Sequence, residues 1–254
     1  MKMDLGGIVT SSKKLNRKQR RNEMFGRQGQ NTNPNNQHNQ MKRPSIEVEP
    51  MNDKQYDYLT SLYGDPCVIC TGSAGTGKTY LAASVAAKDL AERRIKRIIL
   101  SRANVATGKS LGAFPGTVEE KMSPWLMPIT DVLKKQLGIG FYEHAVKTGA
   151  IQIQPLETIR GRSFDDAIVL MDEAQQLTKE ELKAITTRIG TNAKLFLMGD
   201  RAQRDVNTDG LLWLTNLVDN YKLPISIHTF NSNDIVRSGL CKTFVQAFEM
   251  EDAA

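Results

Sequence analysis

The 254-residue chain is 40% hydrophobic and 24% charged with a formal net charge of +6, ordinary for a soluble globular protein with room for one large domain or two small ones. No apolar run approaches the roughly 20 residues of a membrane span, and the N-terminus lacks the h-region of about 7–15 apolar residues that marks a secretory signal. Three cysteines are too few for a disulfide framework, so a reducing, cytoplasmic setting is expected, with no membrane partner.

The charge is unevenly placed. Residues 1–43 hold ten basic and two acidic residues, a local charge of +8, which leaves 24 basic and 26 acidic residues for the rest. From Gln28 to Gln40, nine of thirteen residues are Asn or Gln, a composition that cannot offset its own ordering entropy by burial. Residues 1–43 therefore read as a disordered basic arm and linker, and 44–254 as the folded domain. In the arm, Lys13, Lys14, Arg17, Lys18, Arg20 and Arg21 form a block suited to phosphate contacts with RNA or single-stranded nucleic acid. A solubilising tail with no partner is the equal alternative.

Beyond the arm, Asp53 to Tyr63 reads as a short helix and Gly64-Asp65-Pro66 as a turn. Cys67 to Thr71 reads as a buried strand, Tyr80 to Arg93 as an alanine-rich helix and Arg97 to Ser101 as a second strand. Val105 to Gly116 is a glycine-bearing loop, in which Lys109 and Phe114 are nucleic-acid candidates. Val118 to Leu137 reads as a helix bent around Pro124 and Pro128. There follow a helix (Tyr142 to Lys147), strands at Ile151 to Ile153 and Ala167 to Met171, and a helix from Lys179 to Ile189. A strand (Lys194 to Met198), a helix (Gly210 to Val218), a strand (Ile225 to Thr229) and a helix (Gly239 to Phe248) complete the series. Alternation of this kind predicts an α/β fold with a mostly parallel sheet flanked by helices.

Gly72-Ser73-Ala74-Gly75-Thr76-Gly77-Lys78-Thr79 fits the phosphate-loop pattern between a strand and a helix. Gly72 and Gly77 allow a sharp turn and close approach of backbone to phosphate. The loop N–H groups and the helix N-terminus supply donors to phosphate oxygens. Lys78 reaches the β- and γ-phosphates, and Thr79 can ligate Mg²⁺. That motif alone would suit a kinase, a GTPase or an inert nucleotide binder. Ile168-Val169-Leu170-Met171-Asp172-Glu173 narrows the choice, because two carboxylates emerge at the C-terminal end of an apolar strand, where open α/β sheets bind ligands. Asp172 is placed to hold Mg²⁺, and Glu173 to orient a water attacking the γ-phosphate. A kinase transferring phosphate to another acceptor has no use for such a glutamate. Past the strand Leu195 to Met198, Gln203 is a candidate γ-phosphate sensor with Asp200 as its support.

Gly72 to Thr79 with Tyr80-Leu81-Ala82, Gly161-Arg162-Ser163, Asp172-Glu173-Ala174-Gln175, Thr187-Arg188-Ile189-Gly190 and Gly199-Asp200 resemble the PhoH family over roughly residues 53–250. The resemblance implies a RecA-like P-loop ATPase core related to superfamily 1 helicases, cytoplasmic and ring-forming, with a hexamer expected. It implies ATP and Mg²⁺ at residues 72–80, an adenine-reading role for Gln55 and, in Arg102, a family arginine near the start of the substrate-facing loop, a nucleic-acid candidate. It also implies an Arg-Gly-Arg element at Arg160 and Arg162, which are nucleic-acid candidates, and an arginine at Arg237 suited to a finger on the γ-phosphate, supplied in trans. The reaction expected is hydrolysis of ATP to ADP and phosphate coupled to RNA binding or remodelling. The alternative is a nucleotide-gated RNA-binding scaffold with little turnover.

Two further patterns carry no chemistry. Cys67 and Cys70 have redox spacing, but three residues apart on a strand they face opposite sides and read as core residues. Trp125 and Trp213 fit helix packing.

Overall fold

The computed structural model describes residues 43–103, 122–203 and 210–252, all within the unit Lys42–Ala254. The basic block from Lys13 to Arg21, the loop Val105 to Gly116 with Lys109 and Phe114, and residues 118–121 of the expected bent helix lie outside the described residues.

Helix α1 (Asp53–Gly64) starts where the Asn52 side chain accepts from the Gln55 N–H at 2.9 Å, a side-chain cap for an otherwise orphaned donor. It buries Tyr58, Leu59 and Leu62. Strand β1 (Cys67–Gly72) feeds the glycine loop, and helix α2 (Lys78–Ala91) leaves it. Alanines at 82, 83, 86, 87 and 91 are buried, so this helix lies close against the sheet. Strand β2 spans Arg97–Arg102. The expected proline-bent helix is a 3₁₀ turn (Ser123–Leu126) running into helix α3 (Met127–Leu137), with proline in the first turn of each, where no N–H is needed. Helix α4 (Ile139–Lys147) starts three residues earlier than expected, directly after Gly138. Strands β3 (Ile151–Ile153) and β4 (Ala167–Asp172) follow.

Helix α5 (Lys179–Thr186) has a capping box between Thr178 and Glu181. It stops before the expected Ile189, because the next residues join another segment. Arg188 and Gly190 exchange backbone hydrogen bonds with Phe164 at 2.9 Å each. Strand β5 (Lys194–Gly199), helix α6 (Gly210–Tyr221), strand β6 (Ser226–Phe230) and helix α7 (Gly239–Asp252) complete the described chain.

The six strands form one parallel sheet in the order β3-β2-β4-β5-β1-β6. It is the RecA-like α/β architecture, in which β5 stands between the phosphate-loop strand and the carboxylate strand. Side chains alternate across each strand, and the core divides accordingly. Val68, Cys70, Ile98, Leu100, Ile168, Leu170, Phe196 and Met198 pack toward α1 to α4. Ile69, Ile99, Val169, Met171, Leu195 and Leu197 pack toward α5 and α6. Cys70 and Cys67 fall on opposite faces, as their spacing requires. Burial pushes the Cys67 thiol up to about 12, which leaves it protonated and inert at neutral pH.

His228 on β6 sits edge-on to Tyr58, with ring centroids 5.4 Å apart, and shares a 2.9 Å hydrogen bond with Ser61 Oγ. Burial lowers its pKa, opposed by Asp57 and Asp65. Because the folded-state value lies below the unfolded one, protonation favours unfolding. Stability is complete above the unfolded value of about 6.5 and falls as pH drops through it, levelling below the folded value. In chemical denaturation at pH 7.5 and 5.5, wild type should lose more stability on acidification than His228→Phe. Equal losses would show that His228 does not contribute to the slope.

Candidate functional site

The parallel register sets the ends of five strands side by side. Arg102 pairs with Asp172 across β2 and β4, Thr71 with Gly199 across β1 and β5, and Gly72 with Phe230 across β1 and β6. Gly72 has φ +135°, and a Cβ there would lie 2.1 Å from the Phe230 carbonyl oxygen. Only glycine can turn the chain at that point. Gly75 and Gly77 also have positive φ, +81° and +88°. Thr76 is buried and donates its hydroxyl to the Ser73 carbonyl at 3.0 Å.

Lys78 folds back over this loop. Its Nζ donates to the carbonyls of Gly72 at 2.6 Å and Ser73 at 2.9 Å. Burial pushes the ammonium below its ordinary range, opposed by Cys70 and by the carboxylates of Asp200, Asp172 and Glu173. The Thr79 hydroxyl donates to Asp172 Oδ1 at 3.1 Å, so the first helical turn after the loop touches the carboxylate strand. Burial raises the Asp172 pKa, aided by the neighbouring Glu173 charge and opposed by Arg102 and the Thr79 hydrogen bond. A hard cation beside these two oxygens would relieve that desolvation penalty. Among the described residues no group of three or more His, Cys, Asp or Glu could hold a metal. One hydroxyl and one carboxylate oxygen 3.1 Å apart are hard donors of the kind a cation held mostly by phosphates and water uses.

Glu173 follows in the left-handed region (φ 53°, ψ 38°), a conformation that swings its side chain out of the strand direction. Its Oε1 accepts from Arg102 Nη2 at 3.2 Å and its Oε2 from Gln175 Nε2 at 2.6 Å. Arg102 also donates to the Trp125 carbonyl. Across the cleft, Asp200 Oδ2 accepts from Gln203 Nε2 at 2.7 Å. Burial raises the Asp200 pKa, opposed by Lys78.

These groups line a cleft of about 290 Å³ that includes Ala74, Gly75, Gly77, Lys78, Thr79, Tyr80, Asp172, Glu173, Gln203 and Arg237. Gly199, from the Gly199-Asp200 motif, and Pro128, which no motif pointed to, line it as well. Gly72, Ser73 and Thr76 shape the loop without lining the cleft.

Four arginines and one glutamine complete the set of candidate residues. Arg102, at the end of β2, is paired with Glu173 inside the site. Arg237 packs on its own chain's loop, where a Cβ on Gly75 would come within 3.0 Å of Arg237 Cβ. It also lines the cleft of its own chain. Arg162 donates to Gln154 Oε1, away from the cleft, while Arg160 is exposed beside Glu180 and Ala184. Gln55 is buried, its Oε1 accepting from Met51 N–H at 2.8 Å and its Nε2 donating to the Thr76 carbonyl at 2.8 Å. With both ends of its amide engaged, it supports the loop from beneath.

The family model for PhoH-like protein matches residues 47–249. The chain belongs to the PhoH family. Protein PhoH of Escherichia coli (strain K12) is 33% identical over 215 residues, covering 82% of this chain and 61% of that protein. The PhoH-like protein of Bacillus subtilis (strain 168) is 36% identical over 214 residues, covering 83% of this chain and 66% of its own length. The chain thus spans about three fifths to two thirds of these PhoH relatives. Among solved structures, the large terminase of a thermophilic bacteriophage is similar, with a TM-score of 0.46 at 15% identity, covering 78% of this chain and 50% of the terminase.

Gly72→Ala should lower stability by about 3 kcal/mol or more, since it adds backbone collision to φ strain. Gly64→Ala, which meets nothing within 4 Å, should change it by less than about 1 kcal/mol. Urea unfolding of the two variants gives the comparison, and equal effects would contradict the loop geometry.

Proposed function

We propose that this PhoH-family chain binds ATP with Mg²⁺ and hydrolyses it to ADP and phosphate. The observation that carries the reading is the convergence, in one cleft, of Lys78 and Thr79 from the glycine loop with Asp172 and Glu173 from β4. The loop N–H groups and Lys78 hold the phosphates once the ammonium leaves its carbonyl partners for phosphate oxygens. Thr79 and Asp172 are the residues that would hold Mg²⁺. That ion, when bound, supplies charge neutralisation to the β- and γ-phosphates. Glu173, fixed by Arg102 and Gln175, orients a water in line with the γ-phosphorus and draws its proton. Asp200 and Gln203 face the γ-phosphate from the end of β5, and Arg237 adds positive charge.

Coupling to RNA or single-stranded nucleic acid is the second element of the proposal. It is supported by the +8 charge of residues 1–43 and by the exposed Arg160. Assembly into a ring, with a hexamer expected, and a cytoplasmic location complete the reading. No helix among the described residues is long and apolar enough to cross a membrane.

Lys78→Ala should weaken ATP binding about 10- to 100-fold, the loss of one or two charge-assisted hydrogen bonds. Glu173→Gln should bind ATP within about threefold of wild type while turnover falls about 10²- to 10⁴-fold. Equilibrium binding with a fluorescent ATP analogue and steady-state phosphate release check both, with and without single-stranded RNA. Wild-type turnover in Glu173→Gln would remove that residue from the mechanism. RNA binding indifferent to ATP and to Lys78 would favour a scaffold.

A further inference from the structure

Gln175 lies two residues beyond the catalytic carboxylate and is only 2% exposed. Both ends of its amide are engaged. Nε2 donates to Glu173 Oε2 at 2.6 Å, and Oε1 accepts from the Asp200 N–H at 3.0 Å. One buried side chain thus joins the end of β4 to the end of β5. Its seat has no slack, because a Cβ on Gly199 would lie 2.7 Å from Gln175 Oε1 and 3.0 Å from its backbone nitrogen. A second tie runs parallel to it, from Gln176 Nε2 to the Gln203 carbonyl at 2.8 Å. On the far side, the Asp200 carboxylate accepts from the Ala202 N–H at 3.1 Å and from the Gln203 amide at 2.7 Å. The segment Asp200 to Gln203 is therefore one hydrogen-bonded piece, linked to Glu173 through Gln175.

We propose that Gln175 is a positioning residue, which sets the Glu173 carboxylate according to where the segment Asp200–Gln203 lies. The inference rests on the reading of Glu173 as the group that orients water. The chemistry of the link suits glutamine alone. A donor must face a carboxylate while an acceptor faces an N–H, and a neutral amide offers both at once. Glutamate at this position keeps the acceptor toward Asp200 but sets a second carboxylate against Glu173. Methionine keeps the volume and loses both bonds, leaving the Asp200 N–H and one Glu173 oxygen without their buried partner. Gly199 belongs to the same device, since any side chain there displaces the amide.

The experiment measures kcat, KM and ATP affinity on the full chain. It compares wild type with Glu173→Gln, Gln175→Met, Gln175→Glu, Gly199→Ala and the double variant Gln175→Met/Gly199→Ala. Gln175→Met should lower kcat about tenfold or more, with ATP affinity within about threefold of wild type, as expected for a loss felt at the proton-accepting group. Gln175→Glu keeps the acceptor toward Asp200 and loses the donor toward Glu173, so kcat should fall at least as far as in Gln175→Met, with ATP affinity again within about threefold of wild type. The double variant should lose no more than the larger single loss, since both changes break one link. Wild-type kcat in Gln175→Met beside an inactive Glu173→Gln would overturn the inference and leave the hydrolytic reading standing. Wild-type turnover in Glu173→Gln would instead overturn that reading and the inference with it. Additive losses, or a loss in Gln175→Glu confined to KM with kcat unchanged, would reduce Gln175 to a packing residue. Should Gln175→Met fail to fold, Gln175→Glu, which keeps the Asp200 bond and the chain length, carries the decision through its kcat at unchanged ATP affinity.

Discussion

The site depends on one constraint, the alignment of parallel strand ends. With β5 inserted between β1 and β4, the glycine loop and the carboxylate pair stand two strands apart, close to the spacing that a phosphate chain and its cation require. Neighbouring strands lie about 4.8 Å apart, so the loop and the carboxylates are separated by roughly 10 Å of backbone. The Thr79 hydroxyl spans the remaining distance and reaches Asp172 at 3.1 Å. A slip of one residue in either strand would turn Asp172 to the other face of the sheet. Asp166 and Asp172 bound the apolar run of β4, so a slip either way would draw a carboxylate into the core. Burial elsewhere in the sheet thus holds the polar geometry at its edge.

The same edge concentrates charge. Lys78, Asp172 and Asp200 are all buried, and each is pushed toward its neutral form by loss of water. Unpaired, such groups would destabilise the fold by several kcal/mol. Here they offset one another, the ammonium against loop carbonyls and nearby carboxylates, Asp172 against a hydroxyl and a guanidinium. A site of this kind is poised to exchange internal partners for a polyanion and its cation. The exchange gains because the protein groups are already desolvated and oriented before the ligand arrives.

Much of this was legible in the residues. Element order follows from alternating apolar runs and helix formers, and the glycine loop is readable because its chemistry is local in sequence. The Asp172-Glu173 pair is equally local, at the end of an apolar strand. What escaped the sequence is whatever depends on contacts between distant segments. Arg102 and Glu173 are 71 residues apart, and their pairing follows from the β2–β4 register. The seat of Gln55 under the loop depends on how α1 docks, and the place of Arg237 beside Gly75 on the return of the chain after β6. Gln175 gave no signal beyond its place in the Asp172-Glu173-Ala174-Gln175 run, since its partner across the cleft comes from β5. The ends of α4 and α5 shifted for reasons equally remote from helical periodicity, a positive-φ glycine in one case and pairing with Phe164 in the other.

The central claim is that water, oriented by Glu173, takes the γ-phosphoryl group of ATP in this cleft. Single-turnover cleavage of Mg-ATP in oxygen-18 water, analysed by mass spectrometry of both products, addresses it directly. The account predicts one solvent oxygen in the released inorganic phosphate and none in ADP, with no labelled phosphate formed by Glu173→Gln on the same timescale. Label in ADP, transfer of the phosphoryl group to an acceptor other than water, or labelled phosphate from Glu173→Gln at the wild-type rate would contradict it.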